Sequence, residues 1–229
     1  MAASANDLPD AVLFDVDGTL VDSNYQHVVA WARAFAGVGV VVPAPRLHRA
    51  VGMGGDQLVA SVAGDAVERE HGDHLRAAWK DEYLALLDRV PPLPGAADLL
   101  RACHDRGLKV VLASSSPGDL LERHSAIIGA DVVDAVVDAV TTADDVEASK
   151  PAGDLFGVAA RKVGARRAVA VGDSPWDARS AHAAGVGVVL VRSGGFCDGL
   201  LSAEAPDAPL YDDAADLLSR LEGSPLAPR

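Results

Sequence analysis

The stretch "AVLFDVDGTLVDS", residues 11–23, decides the fold. Four apolar residues, Ala11 to Phe14, run without polar alternation and stop at Asp15; Asp17, Gly18 and Thr19 follow. A short continuous apolar run suits a strand buried on both faces, as in a parallel sheet. Two carboxylates directly behind such a strand need a physical reason, because a single aspartate there ordinarily caps a helix or starts a turn.

Working outward, three more runs share this character: Leu108–Ala113, Ala168–Val171 and Gly187–Val191. Helical patterns lie between them. Ala96, Leu99, Leu100 and Cys103 recur at helical spacing and stop at Gly107; Leu155, Phe156, Ala159 and Val163 do so and stop at Gly164. Strands alternating with helices predict an α/β fold, a doubly wound and mostly parallel sheet. Residues 23–90 break the rhythm. Val28, Trp31, Ala32 and Phe35 line one helical face, and Leu75, Trp79, Tyr83 and Leu86 another, before the turn-rich "VPPLPG" at 90–95. The expected organisation is a core of residues 8–22 and 91–222, split by a helical cap at 23–90.

Polar residues follow the apolar runs. Asp15 follows the first, Ser114 follows "LKVVLA" and Asp173 follows "AVAVG", while Lys150 precedes Pro151, which biases it toward an extended turn. Ligands of parallel α/β sheets bind outside the carboxyl ends of the strands. Local readings also exist: "SPGD" at 116–119 and "SPWD" at 174–177 both look like helix starts, with Ser as N-cap and Pro as the first helical residue. These readings fail together at Asp15, Asp17 and Asp173. Like charges about 4 Å apart repel by roughly 4 kcal/mol at an effective dielectric of 20, so the cluster needs a cation or a proton. Oxygen ligands of this kind favour Mg²⁺ held with a substrate phosphate. Lys150 adds positive charge, and helix N-termini offer N–H groups to an anion.

Composition excludes other classes. The 229 residues are 49% hydrophobic and carry a net charge of -13, so a nucleic-acid partner is disfavoured. No apolar run approaches the roughly 18 residues of a membrane span. The N-terminal segment "MAASANDLPD" has no secretory pattern, and Cys103 and Cys197 read as free thiols, which together point to the cytoplasm. The tail "EGSPLAPR" reads as a frayed end.

"DVDGT" at 15–19, the serine after "VVLA", the lysine of "SKP" and "GDSPWD" at 172–177 resemble, in order, the four motifs of the haloacid dehalogenase-like (HAD) superfamily. The insertion after "DGTLVDS" resembles the subfamily I cap of phosphoglycolate phosphatase-like and β-phosphoglucomutase-like members. The resemblance implies that Asp15 is a nucleophile forming an aspartyl-phosphate and that Asp17 is the general acid and base. It implies that Ser114, Ser115 and Lys150 hold the phosphoryl oxygens. Mg²⁺ would be bound by Asp15, the backbone carbonyl of Asp17, and Asp173, with Asp177 acting at one remove. The partner would be a small phosphorylated metabolite, phosphoglycolate or a sugar phosphate, and the chain a monomer or homodimer.

Dehalogenases and phosphonatases lack the second aspartate that Asp17 supplies here, which leaves phosphatase and phosphomutase. His27 matches a hinge histidine of the β-phosphoglucomutase type, or else is a helix-surface residue. Against a mutase, Gly55 stands where that type carries an arginine for the distal phosphate, and Gly172 where it tends to carry Glu. The loop with Gly52, Gly54 and Gly55 is expected to face the site and shape substrate choice. A non-catalytic phospho-ligand-binding protein is the competing class, although none of the four motif residues is missing.

Overall fold

The computed structural model describes residues 8–227. Six parallel strands form one sheet: β1 (Ala11–Phe14), β2 (Lys109–Ala113), β3 (Ala139–Thr141), β4 (Ala168–Gly172), β5 (Gly187–Val191) and β6 (Leu210–Tyr211), in the order β3-β2-β1-β4-β5-β6. The four strands read from apolar runs are the four inner ones. The edge strands β3 and β6 escaped that reading because they are short and lie half open to solvent. The central strand β1 is fully buried along its whole length, as its uniform apolar character requires.

The chain leaves β1 for β2 on one side and returns to β4 on the other. The strand order therefore reverses beside β1, and a crevice opens at its carboxyl end. The register seats Phe14 between Leu112 and Val171, so the residues after these three strands share one edge.

Between β1 and β2 lie α1 (Asn24–Gly37), α2 (Ala44–Ala50), α3 (Gly55–Ala63) and α4 (Asp65–Leu84), then α5 (Ala96–Asp105), which returns the chain to the sheet. Val28, Trp31 and Phe35 of α1 are buried, as are Leu75, Trp79 and Tyr83 of α4. Their apolar cluster is continuous with Val12 and Phe14 of β1, so the helical segment and the sheet share one core. The stop read at Gly107 has a backbone cause: its φ of 79° is open to glycine, and the Gly107 and Leu108 N–H groups close the helix on the carbonyls of His104 and Cys103.

Beyond β2 come α6 (Gly118–Val136), interrupted at Gly129, then α7 (Asp154–Lys162), α8 (Pro175–Ala184), α9 (Asp198–Glu204) and α10 (Ala214–Ser219). The two Ser-Pro helix starts diverge. Ser174 does cap α8, in a box closed reciprocally by Asp177. Ser116 caps nothing: Pro117 holds the N-cap position of α6, and the Ser116 hydroxyl is spent elsewhere. The tail is not frayed where it is described, since a tight turn at Leu221–Gly223 leads to Leu226, which is fully buried. Residues 1–7, which bear on the secretory reading, and the last two residues of the tail lie outside the described residues. Cys103 is buried and Cys197 exposed, both free. No helix among the described residues is long and apolar enough to cross a membrane.

Candidate active site

The carboxyl ends of β1 and β4 bring Asp15, Asp173 and Asp177 together, with one carboxylate oxygen from each lying within 4.8 Å of the others. Asp15 and Asp173 follow from adjacent strands. Asp177 arrives because the capping box turns the first turn of α8 inward, with Asp177 Oδ2 accepting from Ser174 N–H at 3.0 Å and from Ser174 Oγ at 2.6 Å. Lys150, only 1% exposed, enters from the loop before α7, where its peptide to Pro151 is cis. Its Nζ is bonded to Asp15 Oδ1 and ion-paired with Asp177 Oδ1 at 2.6 Å.

One lysine does not balance three buried carboxylates. Burial pushes the Asp15 carboxyl up to about 7; Lys150 opposes that, while Asp177 and Asp17 add to it. Burial likewise raises Asp173 well above the carboxylate range, with Asp177 and Asp15 reinforcing it. Burial works against the charged form of Lys150 too, but Asp15 and Asp177 outweigh it and keep the ammonium ionised. The donor set thus fits a hard cation: buried oxygens that take up protons when no second positive charge is present. The surroundings are shaped for the same purpose. Asn24 Nδ2 donates to Asp173 Oδ2 at 2.8 Å, and Thr19 Oγ1 bridges toward Asp15 and Asp173 at 3.4 and 3.3 Å. Gly18 and Gly194 carry no side chain where a Cβ would collide with the Asp173 carboxylate.

Asp17 lies apart from this cluster. Its Oδ1 meets Ser23 Oγ at 2.7 Å and His27 Nε2 at 2.8 Å, and its Oδ2 accepts from Ser114 Oγ at 3.3 Å and Ser116 Oγ at 3.1 Å. Burial alone would raise its pKa, but His124, His27 and Ser23 prevail and hold the carboxyl well below the usual range. The side chain being engaged there, any share of Asp17 in a cation falls to its backbone carbonyl. Asp177, expected at one remove, presents its carboxylate within the cluster itself.

Ser114 is fully buried, its Oγ also accepting from Ser116 N–H at 3.0 Å. Ser115 Oγ is buried without a partner and borders the same cavity as Asp15 and Asp17. Gly52 and Gly55 border that cavity as well. The glycines of this loop answer to close approach rather than to flexibility alone: a Cβ on Gly52 would meet Ser174 Oγ at 2.7 Å, and one on Gly54 would strike Ser149, beside Lys150.

His27 is not a surface residue. It is buried, stacked on Tyr83 with ring centroids 3.9 Å apart, and pairs with Asp17. Sequence reasoning gave no role to Thr19, the last residue of the first motif, or to Ser23 and Asn24 shortly after it. It also missed Ser116, and Tyr83 with His124, whose hydrogen bond of 2.7 Å joins α4 to α6 next to Asp17. No spacing could have paired the last two, since 41 residues separate them.

Buried carboxylates and a lysine at the crevice of a doubly wound sheet mark the chain as an α/β protein with its candidate active site at this edge. Comparison with known proteins makes the class specific: the family model for haloacid dehalogenase-like hydrolases matches residues 9–185, and the chain belongs to that family. It is similar to phosphoglycolate phosphatase of Caulobacter vibrioides, with 32% identity over 200 residues covering 84% of this chain and 83% of the relative. Validoxylamine A 7'-phosphate phosphatase of Streptomyces hygroscopicus subsp. limoneus is 30% identical over 217 residues, 91% of this chain and 92% of the relative. Among solved structures, a hydrolase from Pseudomonas syringae superimposes with a TM-score of 0.86 at 32% identity, covering 93% of this chain and 98% of that one. The chain is a phosphatase-type hydrolase of this family.

Proposed function

We propose that the protein hydrolyses a small-molecule phosphate monoester with Mg²⁺, through a phosphoryl group carried on Asp15, beneath a cap formed by residues 23–90. The observation that carries the reading is the placement of Asp15: a buried carboxylate at the end of the central strand, bonded to Lys150 and clustered with Asp173 and Asp177.

Asp15, Asp173 and the Asp17 carbonyl would hold Mg²⁺, with Asp177, whose two oxygens are engaged by Lys150 and Ser174, at one remove; the ion would supply charge neutralisation for the phosphoryl oxygens. Asp15 Oδ attacks phosphorus as the ester P–O bond breaks. Asp17 gives its proton to the departing alkoxide. In the second half Asp17 takes a proton from water, the resulting hydroxide attacks phosphorus, and the P–Oδ bond breaks to release phosphate and restore Asp15. The donors around Asp17 favour its ionised form, which suits this water-activating half, and the proton it takes from water is the one it gives to the alkoxide of the next ester. Lys150 and the hydroxyls of Ser114 and Ser115 hold the transferring group, where preorganised charge has its largest effect. In the closed conformation the loop at Gly52–Gly55 seals the site from bulk water.

The test is turnover of p-nitrophenyl phosphate during a Mg²⁺ titration. Activity that rises with Mg²⁺, vanishes with EDTA and is lost in Asp15→Asn is expected. A protein inert toward a broad panel of phosphate esters would overturn the reading.

A further inference from the structure

Two imidazoles face the Asp17 carboxylate from different helices. His27 Nε2 of α1 lies 2.8 Å from Oδ1, and His124 Nε2 of α6 lies 3.8 Å from the same oxygen. Burial favours the neutral form of His124. In both rings Nδ1 is buried without a partner, which assigns the usable N–H to Nε2. The Nε2–H of His27 donates to Asp17 directly. At 3.8 Å that of His124 is beyond hydrogen-bond distance of Asp17, and its partner is Tyr83 Oη at 2.7 Å.

Tyr83 bears on both rings. It comes from α4, lies outside the four motifs and is fully buried, as is His124. Its ring lies nearly flat on that of His27, with centroids 3.9 Å apart and planes 13° apart, and stands edge-on to that of His124. Its hydroxyl also adjoins the side chain of Ser23, whose Oγ donates to Asp17 Oδ1 at 2.7 Å. Stacking sets the plane of one imidazole and the hydrogen bond sets that of the other. All of these contacts lead to Oδ1, while Oδ2 is left to the hydroxyls of Ser114 and Ser116.

Packing does not account for the phenol. It sits in an apolar cluster with Val28, Trp31 and Trp79, and a buried hydrogen-bonded pair can be exchanged for apolar groups of the same shape at little cost. What an apolar pair could not do is fix the direction of His124. Turned over about its Cβ–Cγ bond, that ring would bring Cε1 where Nε2 stands, and Oδ1 would lose the hydrogen-bearing edge beside it. With Oδ1 crowded by donors, a proton on Asp17 belongs on Oδ2, where serine hydroxyls can accept as well as donate. As the Oδ2–H bond breaks and the alkoxide takes the proton, the charge left on the carboxylate meets donors already in place.

We propose that Tyr83 is a positioning residue for proton transfer by Asp17: it orients the His27 and His124 rings around Oδ1 and leaves Oδ2, beside Ser114, as the oxygen that gives its proton to the departing alkoxide. This rests on the phosphatase reading and adds to it a residue of the helical segment.

The test compares kcat/KM with Mg²⁺ for glycerol phosphate, whose alkoxide needs a proton, and p-nitrophenyl phosphate, whose leaving group needs little. The proteins are wild type, Tyr83→Phe, which keeps the stacked ring, and Lys80→Ala, which breaks an ion pair of 2.8 Å between the same two helices at Asp119. In Tyr83→Phe the ratio of glycerol phosphate to p-nitrophenyl phosphate should fall about tenfold, part of the usual worth of a general acid, and in Lys80→Ala it should hold. Equal losses on both esters in Tyr83→Phe overturn the proposal, and so does the same shift in Lys80→Ala, the mark of helix packing. Should Tyr83→Phe not fold, His124→Gln and His124→Leu replace it. Gln, with an amide nitrogen near the Nε2 position, should keep the ratio and Leu should lower it; equal ratios overturn the proposal. If wild type turns over no ester, the phosphatase reading fails by itself. Crystal structures of wild type and Tyr83→Phe then decide the positioning: a displaced Asp17 carboxylate supports it, and an unmoved one overturns it.

Discussion

Asp15 and Asp17 are separated only by Val16, yet they occupy opposite kinds of environment. Asp15 sits among Asp173, Asp177 and Lys150, where negative charge is in excess and its own carboxyl is driven up to about 7. Asp17 sits among His27, His124 and three serine hydroxyls, where donors are in excess and its carboxyl is driven down. Strand alternation would put residues two apart on the same side; here β1 has ended at Phe14 and the chain turns at Gly18, with a φ of 76°, so the two side chains enter different surroundings. One acid faces the core, with its strand ends and α8. The other faces the start of α1, the loop after β2 and His124 of α6. A short motif thus acquires two chemically distinct carboxylates without any difference in residue type.

That contrast can be broken from either side. The largest effect is expected for Asp15→Asn, which removes the attacking oxygen and should lower p-nitrophenyl phosphate turnover by on the order of 10⁴-fold or more. Retained turnover would place the nucleophile elsewhere. Asp17→Asn should cost about 10²- to 10⁴-fold, and its loss should be smaller for p-nitrophenyl phosphate, whose leaving group needs little protonation, than for an alkyl phosphate. Equal losses on both substrates would argue against proton transfer by Asp17.

The cation side is tested without catalysis. Mg²⁺ at about 100 times its Kd should add about 2.7 kcal/mol to the stability of the wild type, read as a rise in melting temperature, and Asp173→Asn should abolish that rise. An unchanged Mg²⁺ response in the variant would remove Asp173 from the cation site. The smallest effect separates the two Ser-Pro helix starts. Ser174→Ala breaks a capping box and should destabilise the fold by about 1 kcal/mol in urea unfolding. Ser116 caps no helix, so Ser116→Ala should leave α6 intact and register mainly through the kinetics of the step that uses Asp17.

Much of this was legible because the signals were local. Uninterrupted apolar runs mark strands buried on both faces, and β1, β2, β4 and β5 have them; β3 and β6 are too short and too exposed to carry the mark. Asp15, Ser114 and Asp173 could be grouped from sequence because each follows an apolar run toward the sheet's carboxyl edge, and Lys150 joined them through the "SKP" motif. Ser116 was misread because Ser-Pro-x-Asp describes a helix start equally well whether or not the hydroxyl finds a better partner in space, and here it finds Asp17 at 3.1 Å. The pairing of Tyr83 with His124 had no local signal at all.

From the order of residues alone come the parallel α/β class, the helical interruption after the first strand, and the charge imbalance that calls for a cation and a phosphate. These depend on periodicity, on composition and on which residue ends a strand, all of which are readable over short windows. The tertiary structure alone decides that Asp177 joins Asp15 and Asp173, that Asp17 turns to the histidines, and that Tyr83 meets His124. The reason is physical: pKa, burial and hydrogen-bond satisfaction depend on which groups meet in three dimensions, and those groups come from segments as distant as β1, α4, α6 and α8.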